Sequence, residues 1–514
     1  MTVLAHRRNT RLVMAFAVLS LLLLLPRAAA GQETLEIPDM LRRVLSANRD
    51  LERALLEEQQ AESGYRSARA SIGPQVDLDI NALTVDNRRV QTGGPGVPQR
   101  TVRTASTGAN LRYVQALPTG GRLVGETGLE ASVARTLAEN GADDEDRYEI
   151  EPQISLRFSQ PVFVRGSFID ARITQAVDTQ ARTGLRIAGL TRADLENRFA
   201  LAATELYFAV ANLRRAIEVQ ESRLELTRRR IARTEDDLEL GAASRQQLLR
   251  LQLAENGLRE ALLQTREQLR NLERSLFRIS GGTVQPADYA FRLPGEVFAE
   301  IDRDTPDTRT LSENIDIARS RIALETAVAD LRVNRNERAP ELSAFAQISR
   351  RYPDARGDAS DAGSAFSDLF DGDGGFNWTA GLSLSVPLFD GGRRRTADAA
   401  DERSIRLAEL ELSEVEENVT DDVATALERL AILQDRVAIL EAEAEFEADR
   451  LADLEALVEI AAASELEADE ARLDLAQARN SVIEAQGELV LLLMELDALT
   501  GGSASGRFSS AGSM

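Results

Sequence analysis

Glu467 and Glu470 are carboxylates three residues apart, a spacing that puts them one turn apart on one face of a helix. Such a pair attracts cations. Repeated around an axis it would focus a negative potential and raise some of its own pKa values by mutual repulsion. The plain alternative is a solvated acidic face in a chain rich in glutamate. Little else offers chemistry: there is no cysteine, and the single histidine is His6. Beyond it neither imidazole nor thiolate remains for nucleophilic catalysis or soft-metal binding, so the composition argues against an enzyme and no cofactor or metal is expected. The scarcity of methionine after the first 30 residues (Met40, Met494, Met514) also argues against a metal-handling surface. Gly93-Gly94-Pro95-Gly96 lacks the strand-then-helix setting of a phosphate loop, and Asp371-Gly372-Asp373-Gly374 lacks the closing glutamate of a calcium loop. Both read as exposed loops.

The formal charge of −23 argues against nucleic acid as a partner, since phosphate binding needs clustered positive charge. Residues 1–30 join a basic start (His6, Arg7, Arg8, Arg11), an apolar middle and Ala28-Ala29-Ala30, which together read as a secretory signal cleaved after Ala30. No later apolar run approaches the roughly 20 residues of a transmembrane helix. If the chain spans a membrane, it does so as a β-barrel.

The elements that carry the glutamates are written twice. Asn48-Arg49-Asp50-Leu51 returns as Asn314-Ile315-Asp316-Ile317, an offset of 314−48 = 266. Ala242-Ala243-Ser244 returns as Ala462-Ala463-Ser464, and Ser280-Gly281-Gly282 as Thr500-Gly501-Gly502, both at 462−242 = 500−280 = 220. The periodicity predicts long helices over 164–240 and 393–460, with Leu206, Val210, Leu213, Ile217 and Leu224 on heptad positions, each followed by a turn and a shorter helix over 244–280 and 464–499. A further helix over 36–72, laid end to end with 244–280, would match the long helix in length. The expected organisation is a signal at 1–30, one copy at 31–282, a linker at 283–312, a second copy at 313–500 and a disordered tail at 501–514.

Strand-like segments sit between the helices. Val76, Leu78, Ile80 and Ala82 alternate with polar residues, as do Ile154, Leu156 and Phe158, then Leu342, Ala344, Ala346 and Ile348, interrupted by Phe345, then Leu382, Leu384 and Val386. Period-two patterning over about 10 residues suits a strand with lipid on one face and water on the other, and equally a half-buried soluble sheet. Gln160-Pro161-Val162-Phe163 with Gly166, and Val386-Pro387-Leu388-Phe389 with Gly392, mark strand-to-helix corners, where a proline without an N–H would end a ladder. Between the matched prolines, copy one has 161−74 = 87 residues and copy two 387−340 = 47. The surplus of 40 reads as a hairpin turning at Pro118-Thr119-Gly120-Gly121, with outer loops at 86–105 and 137–150. Trp378, Tyr352, Phe376 and Phe158 lie near strand ends, as interfacial aromatics or as scattered core residues.

Taken together, the Asn-x-x-Leu openings, Pro74 and Pro340, the two Pro-x-Phe corners and the Leu240-Gly241-Ala242-Ala243-Ser244 turn resemble the TolC-like outer-membrane efflux proteins over nearly all of residues 35–502. The resemblance implies an α+β membrane protein. In it the duplicated helix–strand–helix repeat forms a homotrimeric outer-membrane β-barrel, continued by a long periplasmic α-helical barrel. It further implies a passive channel of a tripartite efflux or type I secretion system, with a periplasmic adaptor protein, an inner-membrane transporter and outer membrane lipid as partners. By the same resemblance Glu467 and Glu470 would form the periplasmic entrance ring, and Gly241, Ala242, Ser244, Arg245, Ala461, Ala462 and Ser464 would be the helix-turn tips that dock the adaptor. Segments 281–312 would lie in the equatorial collar. The chain departs from the family in having Ala461 where copy one has Gly241, and Ala463 where a latching arginine is expected; Arg245 is a weak substitute. The extra hairpin leaves open whether the trimer has 12 or 18 strands. A non-conducting envelope-spanning coiled-coil scaffold is the rival reading.

Overall fold

A computed structural model of the chain describes residues 33–90, 100–138, 145–164, 167–168, 172–301, 303–306, 308–337, 340–351, 376–386 and 388–509. The signal expected at 1–30, the glycine loop at 93–96, the Asp371–Gly374 loop, Gly166 and Pro387 lie outside the described residues. In chain order the elements are β1 (Glu33–Leu35), α1 (Ile37–Ala47), α2 (Arg49–Ala70), β2 (Gln75–Val90), β3 (Arg100–Ala116), β4 (Arg122–Ala138), β5 (Glu145–Val164), β6 (Ser167–Phe168), α3 (Arg172–Glu239) and α4 (Arg245–Ile279). There follow β7 (Tyr289–Phe291), α5 (Pro294–Glu300), α6 (Ile315–Glu337), β8 (Glu341–Arg351), β9 (Asn377–Ser385), α7 (Arg393–Glu459), α8 (Glu465–Leu499) and α9 (Gly506–Ser509). They fall into two compact units: residues up to Leu55, Thr191–Ala318 and Glu416 onward form one, Leu56–Leu190 and Arg319–Val415 the other. Among the described residues no helix is long and apolar enough to cross a membrane.

The first unit is helical. Its core joins Ile37, Met40 and Val44 of α1, Tyr207 and Val210 of α3, Leu430, Leu433 and Val437 of α7, Leu489, Leu493 and Leu496 of α8, and Val297 of α5. Tyr207 is fully buried, and its hydroxyl is satisfied on both sides: it donates to the Leu35 carbonyl at 2.6 Å and accepts from the Arg292 N–H at 2.8 Å. Burial pushes this phenol up to about 12, so it stays a donor at any physiological pH.

The duplicated motifs acquire a physical meaning here. Asn48 caps α2, its Oδ1 accepting from the N–H groups of Asp50 and Leu51, while its Nδ2 donates to the Ile279 carbonyl at the end of α4. Asn314 repeats this for α6 and the Leu499 carbonyl of α8. One amide thus satisfies orphan groups at two helix ends. The approach is allowed by Gly281 and Gly501, at φ 60° and 87°, since a Cβ there would run into the backbone of Ala47 or Glu313.

One helix expectation is corrected. The helix read over 36–72 is two helices, because Asn48 takes extended backbone to reach Ile279. The length match itself holds, since the 11 residues of α1, the 22 of α2 and the 35 of α4 give 68, the length of α3. In the segment from Gly501, expected to be disordered, the described residues 501–509 are folded and include α9. Ala504 and Phe508 enter the core, Asn197 holds Gly502 and Ala504, and Arg507 grips Asp497 at 2.5 and 2.9 Å. Its Gly/Ser composition hid two apolar anchors.

In the second unit the strands form one antiparallel sheet, ordered β2-β3-β4-β5-β8-β9, with β6 folded back on the end of β5. The surplus hairpin is therefore inside the ladder, as β3 and β4. Its turn places Gly120 at φ 81°, and Gln160 of β5 clasps it through both Thr119 groups at 2.6 and 2.8 Å. The strands run further than the loops expected at 86–105 and 137–150 allow, since β2 pairs with β3 as far as Val90↔Arg100 and β4 with β5 as far as Thr136↔Glu145. Pro161 does not end the ladder: it pairs with Ser343 at a bulge, and pairing continues to Val164. A second bulge between Asn81 and Thr84 moves Ala82 out of the alternation and brings Val85 into it.

Register shows how the two faces are composed. Val76, Leu78, Ile80 and Val85 of β2 share a face with Ala105, Ala109, Leu111 and Tyr113 of β3 and with Leu123, Leu129, Ala131 and Val133 of β4. The same face continues through Tyr148, Ile150, Ile154, Leu156 and Phe158 of β5, Ala346 and Ile348 of β8, and Trp378, Ala380, Leu382 and Leu384 of β9. The other face carries Asp77, Asp79, Asn110, Arg112, Arg122, Glu126, Glu130, Glu149, Glu151, Arg157 and Gln347. Phe345 breaks the pattern on that polar face, where its ring covers Gly381 of the neighbouring strand. All six strands, the surplus pair included, keep one apolar and one polar side.

Candidate functional site

The candidate site in the helical unit is the pair of turns joining α3 to α4 and α7 to α8. Ser244 and Ser464 each close a capping box, with Gln247 and Glu467 as the reciprocal partners. The preceding helices end alike. The N–H of Ala242 and of Ala462 reach back to the Asp237 and Leu457 carbonyls at 2.7 and 2.8 Å. Gly241 stands at φ 75° and Ala461 at φ 55°, the one non-glycine residue at positive φ among those described. The departure noted at Ala461 therefore leaves the turn unchanged and strains one residue instead. Ala461→Gly is expected to stabilise the tip by about 0.5–1 kcal/mol, and Gly241→Ala to cost about as much. Slower hydrogen exchange at the Ala462 amide would check the first; faster exchange would show that no strain is stored there.

Glu467 and Glu470 are close in space but differ in role. The Glu467 carboxylate accepts from the Ser464 N–H and Oγ at 2.8 and 2.9 Å, and these bonds hold it below the usual carboxylate range. Within the chain the expected upward push by mutual repulsion is thus reversed for Glu467. Glu470 forms an ion pair with Arg230 of α3, and its neighbour Asp469 pairs with Arg229 at 2.9 Å and with Arg472 at 2.8 Å. The two carboxylates read as a bare acidic pair are a cap and half of an ion pair. Arg245 opens α4, and none of the ion pairs described at the tips includes it.

The residues missed in the sequence are Arg229 and Arg230, which join the two coiled coils. A signal was present: Arg228-Arg229-Arg230 is a run of three cations on an otherwise mixed helix. Arg228 turns to Glu255 of α4 at 2.9 Å, while the other two turn to α8. Each coiled coil is also laced internally, α3 to α4 by Arg266–Glu221 at 2.6 Å and α7 to α8 by Arg472–Glu455 at 2.7 Å. Residues 453–470 hold seven acidic side chains and no basic one, and arginines outside that stretch pair with Glu455, Asp469 and Glu470.

Corner residue Gly392 is at φ 84° directly before α7, where Asp390 accepts from its N–H at 3.1 Å and from the Arg394 N–H at 3.0 Å. Those bonds depress the Asp390 pKa and cap the helix. On α7, Ile432, Ile439 and Phe446 recur every seven residues and are each about two-thirds exposed. A heptad stripe left open this way is a seam without its partner helix.

Residues 308–502 match the family model described as outer membrane efflux protein. Among curated proteins none is matched. The fold is similar to that of three solved outer-membrane proteins. VceC from Vibrio cholerae has a TM-score of 0.59 at 16% identity, with 91% of this chain and 96% of that one covered. The CmeC outer membrane channel of Campylobacter jejuni has 0.59 at 13%, covering 93% and 89%. The MtrE outer membrane channel of Neisseria gonorrhoeae, solved in its open state, has 0.57 at 14%, covering 91% and 89%.

Proposed function

We propose that this chain, whose residues 308–502 match the family model described as outer membrane efflux protein, is the outer-membrane channel of a tripartite efflux or type I secretion system. It is a passive conduit rather than an enzyme. The observation that carries this reading is the two-faced sheet: six strands, each with about 10 residues of apolar band on one side and charge on the other, suit a wall between lipid and an aqueous lumen. A non-conducting scaffold has no use for such a wall.

Further features support assembly as a trimer. Strands β2 and β9 are paired on one side only among the described residues, and a lipid-embedded sheet cannot leave its edges open. Three copies of six strands would close a barrel of 18, about one and a half times the width of a 12-stranded one. The Ile432–Ile439–Phe446 stripe is placed to meet a neighbouring protomer in the helical barrel. Residues 1–30 serve as the secretion signal, 31–282 and 313–500 as the two copies, and 283–312 as the equatorial segment between them. The tips at Gly241, Ala242, Ser244 and Arg245 and at Ala461, Ala462 and Ser464 are the periplasmic ends that meet an adaptor, which in turn engages the inner-membrane transporter. Glu467 and Glu470 line the entrance, and the α3–α8 ion pairs keep Glu470 neutralised until the tips part.

The test is mass determination in detergent together with single-channel recording. A trimer with a wide, cation-preferring conductance is expected. A stable monomer, or a trimer that conducts nothing even with its tips deleted, would overturn the reading in favour of a scaffold.

A further inference from the structure

The apolar band on the sheet runs obliquely to the rows of paired residues. Val76, where the band starts on β2, shares one row with Tyr113, Gly125, Leu156, Ile348 and, on β9, Trp378. On β9 the band runs from Trp378 to Leu384, and Leu384, like Val76, stands at the strand end that leads to a helix. From β2 to β9 this limit of the band therefore slides by 384−378 = 6 residues. The far limit moves from Val85, whose partner is Ala105, to Trp378 in the row of Tyr113, a slide of 113−105 = 8. Where the two limits mark the two surfaces of a bilayer, the slide measures how far the strands lean. About seven residues at about 3.3 Å each, against five strand steps of about 4.8 Å, give an inclination of roughly 45°, the lean of strands in a closed barrel.

The two edges that such a barrel must join are the exposed ones. β2 is exposed at every residue from Gln75 to Arg89, and β9 at every residue but Gly381. Carried one step further, the slide of about 1.4 residues per strand sets Val76 of the next protomer level with Ser385 and Val386. Side chains must keep to their own face, so the partner of Val76 is Val386 or Leu384, and Val386 is the nearer. The polar face favours the same choice. With Val386 as partner, Asp77 and Asp79 stand opposite Ser385 and Ser383, whose hydroxyls can donate to the two carboxylates. With Leu384 as partner, Asp79 would stand opposite Gly381, where the Phe345 ring fills the side-chain space and offers no donor.

We propose that β9 pairs antiparallel with β2 of the next protomer in this one register, Leu384 opposite Leu78 and Leu382 opposite Ile80, with the strands inclined by about 45° to the membrane normal. The proposal rests on the reading of the chain as a trimeric channel whose apolar face meets the membrane, and adds to it the register and the inclination. It also assigns a role to the surplus hairpin. At this inclination the 18 strands of three copies enclose about 40 Å between opposite backbones, against about 26 Å for 12, so β3 and β4 widen the outlet.

The chain has no cysteine, so introduced pairs can be read without background. In the full-length protein assembled in outer membranes, Leu78→Cys with Leu384→Cys is expected to form disulfides between protomers and to yield a covalent trimer on a non-reducing denaturing gel. Directly opposed residues bring their Cα atoms to about 4.5–5.5 Å, within reach of a disulfide. Leu78→Cys with Leu382→Cys, or with Val386→Cys, is one same-face position out of register and should link on the order of tenfold less. Asp79→Cys with Ser383→Cys repeats the test on the polar face, where an aqueous oxidant reaches both thiols. Neither pair can close within one chain, since β2 and β9 are five strand steps, about 24 Å, apart. The mass of each reduced variant in detergent reports assembly separately from linkage. A trimer that links best through Leu382 or Val386, or through neither matched pair, overturns the register and leaves the channel reading standing. A monomer of the unaltered protein overturns both.

Discussion

Arg229→Gln combined with Arg230→Gln is expected to raise the open probability of the channel in planar bilayers on the order of a hundredfold at low salt. Each change removes one ion pair between α3 and α8, to Asp469 and to Glu470. Pairs of this exposure contribute about 0.2–1 kcal/mol each, too little to matter singly. In the proposed trimer, opening would break all six pairs at once, and the contributions then sum to roughly 3 kcal/mol, or about two factors of ten. High salt should shrink the difference, since the pairs are screened. The companion change, Glu467→Gln with Glu470→Gln, separates latch from filter. It also frees the tips, but it removes entrance charge, so cation selectivity should fall, whereas in the arginine variant it should rise. Unchanged opening in both variants would show that the ion pairs only decorate a tip held shut by other contacts. Equal selectivity in both would place the filter elsewhere.

Gly501→Ala, and likewise Gly281→Ala, should each lower the stability of the helical unit by about 2–4 kcal/mol. Two costs add at these positions. The left-handed backbone penalises a Cβ by about 1 kcal/mol, and that Cβ would also meet the Glu313 or Ala47 backbone. Relief requires the strand of chain before Asn314 or Asn48 to back away, which breaks the amide's bond to the last carbonyl of α8 or α4 and leaves buried groups unsatisfied. Gly282→Ala is the internal control: it has the same left-handed backbone, at φ 81°, but only the Phe277 ring for a neighbour, at 3.4 Å. Its cost should stay near the 1 kcal/mol of backbone strain alone. The temperature at which the detergent-solubilised assembly dissociates ranks the three. If Gly282→Ala proved as damaging as Gly501→Ala, the close approach to Asn314 would not be what the glycine serves.

Much of this chain was legible because its periodicities are long and local. A heptad sustained from Leu206 to Leu224, or apolar alternation over about ten residues, states an element and the face it buries without reference to any other part of the chain, so the helices, the strands and their duplication could be read from Leu206, Val210 and Leu213 or from Val76, Leu78 and Ile80. The surplus hairpin was visible as 40 unmatched residues, but whether it entered the ladder was a question of strand pairing, answered only by the register that puts β3 and β4 between β2 and β5. Function in outline followed from the repeated motifs, while the roles of single residues did not. Glu467 and Glu470 looked equivalent because spacing on one helix is all a sequence displays; Ser464 beside one and Arg230 on a distant helix beside the other made them a cap and an ion-pair partner. Asn48 and Asn314 were visible as a repeated letter, and their meaning needed the carbonyls of Ile279 and Leu499, 231 and 185 residues away. Phe508 lay in a stretch whose Gly/Ser composition signals disorder, and only the hydrophobic core it enters could order it. Local patterning determines which elements form and which side they bury, because those preferences act between neighbours in the chain; the partner of each charged or capping side chain is decided by packing between segments hundreds of residues apart, where only the folded structure brings donor and acceptor within reach.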